Sequence, residues 1–386
     1  MSETKAPPLI SIGPRVHKSP FFDATLRYGA KAFTIYNHTY LPASYGDNVA
    51  DYWSLVNDVT LWDVSCQRQV QISGPDAFEF IQFLTPRDMS TCEVGQCQYL
   101  VLTNQDGGIV NDAILLRVEE NLFWLSPGDG DVLWWAMGVA VNSGLDVEIS
   151  EPDVSPLQLQ GPKSPLVARE LFGDWAVELK YFRLREAELD GIPLVVSRTG
   201  WSGELGYELY LRDGQYGDAL WERIMQAGKP FNIAPTAPST IRSIEGGLLS
   251  YASDITLADN PYVIGMGGFV DLDHPGDFVG RAALQKIAAE GARRRLVGVE
   301  IDGDALQVPN EEFWEISVAG NTTGHITRCA FSPRLEKNIG WANVPIEYAD
   351  IETELVVASP AGDRSAVVCE APWFKPQIKI PDEMKP

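Results

Sequence analysis

Two patterns alternate along the chain: period-two runs of β-branched and aromatic residues, and runs whose apolar positions recur every three to four residues. Residues 33–37 have the first pattern and lead through His38 into a turn predicted at 41–46; residues 48–59 have the second, through Ala50, Trp53, Leu55 and Val56. Strands are predicted at 61–65 and 68–73, and Asp76 is placed to N-cap a helix over 77–84 that buries Phe78, Phe80, Ile81 and Leu84. Residues 97–103 and 109–118 flank Asn104-Gln-Asp-Gly-Gly108, whose Asp-Gly pair predicts a hairpin. A strand at 123–126 and a helix over 131–141 complete an α+β module of split βαβ type.

The alternation restarts at Val154, with a strand at 157–159, a helix over 164–172, strands near 179–184 and 194–197, and a helix over 216–227. A helix over 241–250 and the loop signal Asn260-Pro261 follow. After a short helix beginning at Gly280, only strands are predicted, at 296–301, 314–319, 324–328, 339–344, 354–357 and 367–369. The expected architecture is therefore an N-terminal arm (1–20), α+β modules over 21–152 and 153–275, and an all-β barrel domain over 276–386. Ordered structure is expected to begin near Ala32.

The stretch Val196-Ser-Arg-Thr-Gly-Trp-Ser-Gly-Glu-Leu-Gly-Tyr-Glu-Leu-Tyr-Leu211 stands out in the second module. Three glycines separate two strand-like arms, and a period of two sets Glu208 and Tyr210 on one face, opposite Tyr207, Leu209 and Leu211. A carboxylate beside a tyrosine, next to a glycine loop carrying Trp201, suits a flat heteroaromatic ring with N–H donors, such as a pterin or a purine. An ordinary hairpin with a solvated Glu208 fits the same spacing. Asp112 ends Gly107-Gly-Ile-Val-Asn-Asp112 where an apolar strand emerges. There it can orient a nucleophilic nitrogen or support a cationic centre, or simply cap the turn.

Fifty-three acidic against 30 basic residues give a formal charge of −23, which argues against nucleic acid or anionic lipid as partners. Five cysteines without a Cys-x-x-Cys pair, and four isolated histidines, point to reduced thiols and no metal site. With no secretion signal and no run of about 20 apolar residues, a cytoplasmic protein is expected. Nucleophile-elbow, Walker and dinucleotide motifs are absent, which leaves a folded enzyme with carboxylates and aromatics, a set that suits transfer between a heteroaromatic carrier and a small cationic donor.

Six segments in order resemble the aminomethyltransferase family, the glycine cleavage T-proteins and their relatives. They are Leu61-Trp-Asp-Val-Ser65, Gly107 to Asp112, Leu159-Gln-Gly-Pro162, Ser197 to Glu208, Phe278-Val-Gly-Arg-Ala-Ala-Leu284 and Phe331-Ser-Pro-Arg-Leu335. The resemblance implies a three-domain cloverleaf around a central tetrahydrofolate site. It implies that Asp112 holds the catalytic position, Glu208 the pterin edge and Trp201 the place of the aromatic beside the reacting centre. Tyr210, Trp201 and Tyr99 join Glu208 as candidates for the tetrahydrofolate co-substrate, and Trp201, Tyr36 and Tyr181 are candidates for the methyl donor, with Ser126, Arg68 or a backbone N–H for its carboxylate. Asn111, in place of the first acid of the family's Asp-Asp pair, and Ser243, where T-proteins carry Arg, point away from glycine cleavage.

Within the family, Ala32 to Ser44, Trp62 to Val70, Leu84-Thr-Pro-Arg-Asp88 and Leu248 to Asp254 resemble the dimethylsulfoniopropionate demethylases. Those enzymes carry Ser-Lys-Gln-Gly-Gly after the loop aromatic, where this chain has Ser202-Gly-Glu-Leu-Gly206. That exchange alters the local charge by about two units and bears on which donor is accepted. The implied activity is tetrahydrofolate-dependent demethylation of dimethylsulfoniopropionate by a monomer or homodimer. Dimethylglycine, glycine betaine or another methylated amine or sulfonium is the alternative donor, and a non-catalytic folate-binding protein the alternative role. The Lys-Gly-Cys-Tyr-x-Gly-Gln signature of the non-catalytic relatives does not occur.

Overall fold

A computed structural model describes residues 12–385. Residues 1–11 of the expected arm lie outside that range, but the rest of the arm is docked. His17 bridges to Thr39, Ser19 Oγ donates to Asp63 Oδ2 (2.5 Å), and Phe21 is fully buried ahead of a helix, Phe22–Arg27. Ordered structure thus starts before Ala32, because Phe21 and Ala24 are core residues of the second sheet's helical layer.

The two α+β modules share one plan. In the first, strand Val70–Ser73 and helix Ala77–Leu84 precede a three-strand meander, Gln96–Thr103, Ile109–Glu119 and Leu122–Pro127; helix Val132–Ala140 and strand Glu148–Ser150 close it. In the second, Ser155–Gln160 and helix Ser164–Phe172 precede the meander Leu184–Leu189, Ile192–Ser197 and Gly206–Leu211, then helix Gly217–Gly228 and strand Ile233–Pro235. The sheets differ by one insertion. Strand Val59–Asp63, although it precedes the first sheet in sequence, lies between Ser155–Gln160 and Ile233–Pro235, so the second sheet has six strands against five. The chain segments 21–152 and 153–275 therefore do not coincide with the sheets.

Each sheet is covered on its outer face by its own helices: Phe80, Ile81, Leu84 and Ala136 pack on the first, and Val167, Leu171, Trp221 and Ile224 on the second. The inner faces meet each other. Cys97, Leu116, Val118 and Trp124 of the five-stranded sheet pack against Leu184, Val195 and Tyr210 of the six-stranded one. Central strands are therefore buried on both faces, and their polar residues are held in the seam between sheets.

Three local expectations change. The strand placed near 179–184 is Leu184–Leu189, an edge strand whose Arg185, Glu186 and Glu188 carry no apolar periodicity. Residues 41–44, expected in a turn, belong to strand Thr39–Ser44, where Pro42 is tolerated in a two-stranded hairpin. The helix expected over 241–250 is Thr240–Gly246, ended by Gly247 in the left-handed region.

The C-terminal strands close into a six-stranded barrel, Arg294–Ile301 pairing with both Lys337–Pro345 and Gly362–Cys369. Closure leaves no free edge and puts Val299, Ile316, Ile326, Ala342 and Val357 inside. Among the described residues no helix is long and apolar enough to cross a membrane.

Candidate functional site

A cavity of about 1000 Å³ lies where the inner faces of the two sheets, residues 200–201, the 247–253 segment and the barrel's 309–313 loop converge. Tyr36, Tyr99, Asp112, Ser126, Tyr181, Trp201 and Glu208 all line it. Strand register explains the grouping. Trp62, Gln158, Glu208 and Ser197 form one row across four strands of the larger sheet. Tyr99, Ile114 and Ser126 form a row on the facing sheet, with Asp112 two residues before Ile114 on the same face.

Glu208 is 3% exposed and held from three sides. Gln158 Nε2 donates to Oε1 (2.8 Å), while the Tyr210 hydroxyl (3.1 Å) and the Thr199 hydroxyl donate to Oε2. Burial pushes its carboxyl above the ordinary value, against the pull of the Thr199, Gln158 and Tyr210 hydrogen bonds. A carboxylate offers about four acceptor sites, so Oε1 keeps capacity for a donor from the cavity. Tyr210 is fully buried behind Glu208 and does not line the cavity. It reaches the site through its hydrogen bond to Glu208.

Asp112 is held differently. Its Oδ2 accepts from the Tyr99 hydroxyl (2.7 Å), but Oδ1 is buried with no partner among the described residues. Burial lifts this carboxyl to about 6; the Tyr99 hydrogen bond opposes the rise, Asp254 adds to it and Arg328 counters it. Asn111, the neighbour expected to mark a departure in chemistry, faces away from this pair. Its side chain bridges Asp129 O (2.7 Å) and the Gly128 N–H (2.8 Å).

The glycine-rich loop is shaped by one buried amide. Gln160 threads between Gly200 and Gly206, where an added Cβ would lie 2.3 and 2.2 Å from its side chain, so a larger residue at either position would displace the buried Gln160 amide. Gln160 Nε2 donates to Tyr207 O (3.2 Å) and its Oε1 accepts from Ser202 Oγ (2.6 Å). Trp201 is set by Gln158, whose Oε1 accepts the Trp201 N–H (3.2 Å), and its indole Nε1 donates to Leu249 O (3.3 Å).

Glu204 does not carry its charge into the cavity. Arg242 Nε donates to Glu204 Oε1 (2.7 Å), and both side chains are buried, 1% and 7% exposed. The pair neutralises the acid that the sequence adds to this loop. Ser243, in turn, accepts from Nη1 of Arg328 (2.9 Å), so a cation does reach this helix, but from a barrel strand.

Arg68 lies outside the cavity. Its Nε donates to Glu151 Oε1 (2.7 Å) and its Nη2 to Oε2, which commits the guanidinium to a surface ion pair. Conversely, Gln158, Thr199, Tyr251, Phe269 and Arg328 surround the site without having been singled out in the sequence. Gln158 had a signal: with Gln160, it interrupts an otherwise apolar strand, as a buried polar group serving a site does. Arg328 had none.

The family model described as the GCVT N-terminal domain matches residues 21–274, and the glycine cleavage T-protein C-terminal barrel domain matches 294–375. The chain is 35% identical over 359 residues to dimethylsulfoniopropionate demethylase DmdA of Ruegeria pomeroyi, covering 93% of this chain and 98% of that protein. It is 31% identical over 370 residues to an aminomethyltransferase of Symbiobacterium thermophilum, covering 93% and 97% of the two chains. With an aminomethyltransferase of Clostridium botulinum it is 32% identical over 363 residues, covering 91% and 95%. The crystal structure of glycine cleavage system aminomethyltransferase T from Bartonella henselae superimposes with a TM-score of 0.84 over 94% of this chain and 99% of that one, at 23% identity, which shows a common fold. With both domain models matched in order and relatives above 30% identity along most of its length, the chain belongs to the aminomethyltransferase (glycine cleavage T-protein) family.

Proposed function

We propose that this chain is a tetrahydrofolate-dependent methyltransferase that demethylates dimethylsulfoniopropionate, producing 5-methyltetrahydrofolate and methylmercaptopropionate. The observation that carries the proposal is the pairing, in one cavity, of two carboxylates held in opposite ways. Glu208, fixed by three donors, suits the N–H edge of the pterin. Asp112, with one oxygen unpartnered among the described residues, suits the reacting centre.

The donor's sulfonium is already a good leaving group, so the protein's work is positioning and charge support. The N5 lone pair of the folate forms the new C–N bond as the S–CH3 bond breaks, and that bond's electron pair returns to sulfur as a neutral thioether. The positive charge passes to N5, which then releases its proton. Asp112, in its carboxylate form, stabilises that charge. Trp201, Tyr36, Tyr99 and Phe269 supply aromatic surface to an onium group. The similarity to dimethylsulfoniopropionate demethylase DmdA supports this donor. The second reading is a methylated amine such as dimethylglycine or glycine betaine, in keeping with relatives named aminomethyltransferase.

The test incubates the protein with tetrahydrofolate and dimethylsulfoniopropionate and follows both products by mass spectrometry against a no-enzyme control. Stoichiometric appearance of both supports the proposal. Folate binding without turnover of this donor, and turnover of dimethylglycine or glycine betaine instead, would transfer it to the second reading. Folate binding with none of these turned over would leave a binding protein.

A further inference from the structure

Arg328 is a buried guanidinium contributed by barrel strand Asn321–Ser332, and it reaches three other parts of the chain. Its Nε donates to Asp254 Oδ2 (2.6 Å), its Nη1 to Ser243 Oγ (2.9 Å) and its Nη2 to Leu248 O (2.8 Å). Asp254 is engaged on both oxygens: besides the guanidinium, Thr327 Oγ1 donates to Oδ1 (2.6 Å) and the Ser250 N–H donates to Oδ2 (3.0 Å). The ion pair therefore grips Leu248 by its carbonyl and Ser250 by its amide. Between them stands Leu249, whose carbonyl accepts the indole N–H of Trp201. The guanidinium carbon also lies 5.8 Å from the Trp201 ring centroid.

From this chain of contacts we infer that the Arg328–Asp254 pair is a positioning device for Trp201: it fixes the carbonyl to which the indole is tethered and thereby sets affinity for the cationic methyl donor. The barrel then completes the donor site from outside both sheets. The electrostatics agree with the geometry. A bare guanidinium near the indole would oppose a donor cation at the same ring, and Asp254 cancels it. The inference rests on the onium-donor reading of the cavity.

The test is a double-mutant cycle with R328M and W201F, reading donor KM, kcat and folate Kd with dimethylsulfoniopropionate as the donor. Phe at 201 keeps an aromatic wall but has no N–H for Leu249. In the wild-type background R328M is expected to raise donor KM about tenfold, with kcat and folate Kd moving less than about twofold. In the W201F background the same substitution is expected to change donor KM by less than about twofold. Equal effects in both backgrounds, or a parallel rise in folate Kd, would overturn the positioning role. Removing one partner of a buried ion pair risks unfolding. Should R328M fail to fold, R328K, which keeps a cation beside Asp254 but not the fork that reaches Leu248 O, takes its place in the cycle with the same two expectations. Absence of turnover of any onium donor by the wild-type protein would remove the functional reading itself, an outcome distinct from an additive cycle in an active enzyme.

Discussion

The two sheets follow one plan and each presents one carboxylate to the same cavity, yet they treat it in opposite ways. The six-stranded sheet surrounds Glu208 with Gln158, Thr199 and Tyr210, fixing both oxygens. Among the described residues, the five-stranded sheet gives Asp112 one side-chain donor, Tyr99, and leaves Oδ1 buried and unpaired. A carboxylate fixed by donors on both oxygens is a rigid acceptor for whatever its remaining site takes; one with an orphaned oxygen is raised in energy and gains most when a charge develops beside it. On the proposed reading, two modules of one plan separate recognition from chemistry by how many donors surround each carboxylate.

The largest expected effect tests the sparsely held side. D112N keeps the Tyr99 contact but removes the charge, and kcat is expected to fall by about 10²-fold or more while folate Kd moves little, read by steady-state kinetics beside folate titration. An equal loss of binding would erase the division of labour. The same substitution reports on stability. Because burial raises Asp112 above its unfolded value, its ionisation opposes folding: its contribution is fully present below about pH 4 and is lost as pH rises through about 6. D112N is therefore expected to melt higher than wild type at pH 8, by calorimetry.

On the fully held side, E208Q is expected to weaken folate binding by about tenfold or more, the worth of a charge-assisted hydrogen bond, with kcat at saturating folate changed less. Fluorescence titration of the folate separates the two. Next in size comes the pH profile. If the carboxylate of Asp112 is the active form, kcat/KM should fall on the acid side through a pH of about 6. Y99F removes the hydrogen bond that holds this value down, so the limb should move to higher pH; a limb that stays put or moves down would take Tyr99 out of the account. The smallest effect is expected at Arg68. Since its guanidinium is spent on Glu151, R68A should leave donor KM within about twofold of wild type.

The site residues legible in the sequence were those whose neighbours along the chain already constrained them. Glu208 and Tyr210 share a strand face by period two, and Asp112 shares one with Ile114 and Leu116, so their direction followed once the strands were assigned. Gly200 and Gly206 announced a tight loop, although what they make room for, the Gln160 amide, belongs to another strand. Arg68 shows the limit. Next to a cluster of motif residues it looks available, and only its partner Glu151, distant in sequence, removes it from the site.

Alternating polarity, turn chemistry and glycine placement by themselves determined the α+β modules, the all-β C-terminal domain and the faces carrying Asp112 and Glu208, because each depends on residues a few positions apart. Tertiary structure alone decided that Val59–Asp63 joins the second sheet and that the two inner faces close on one cavity. It also decided that Glu204 is neutralised by Arg242 and that a barrel arginine holds the segment behind Trp201. Those outcomes depend on which buried charge finds which partner across a seam, and no local pattern along the chain encodes the partner.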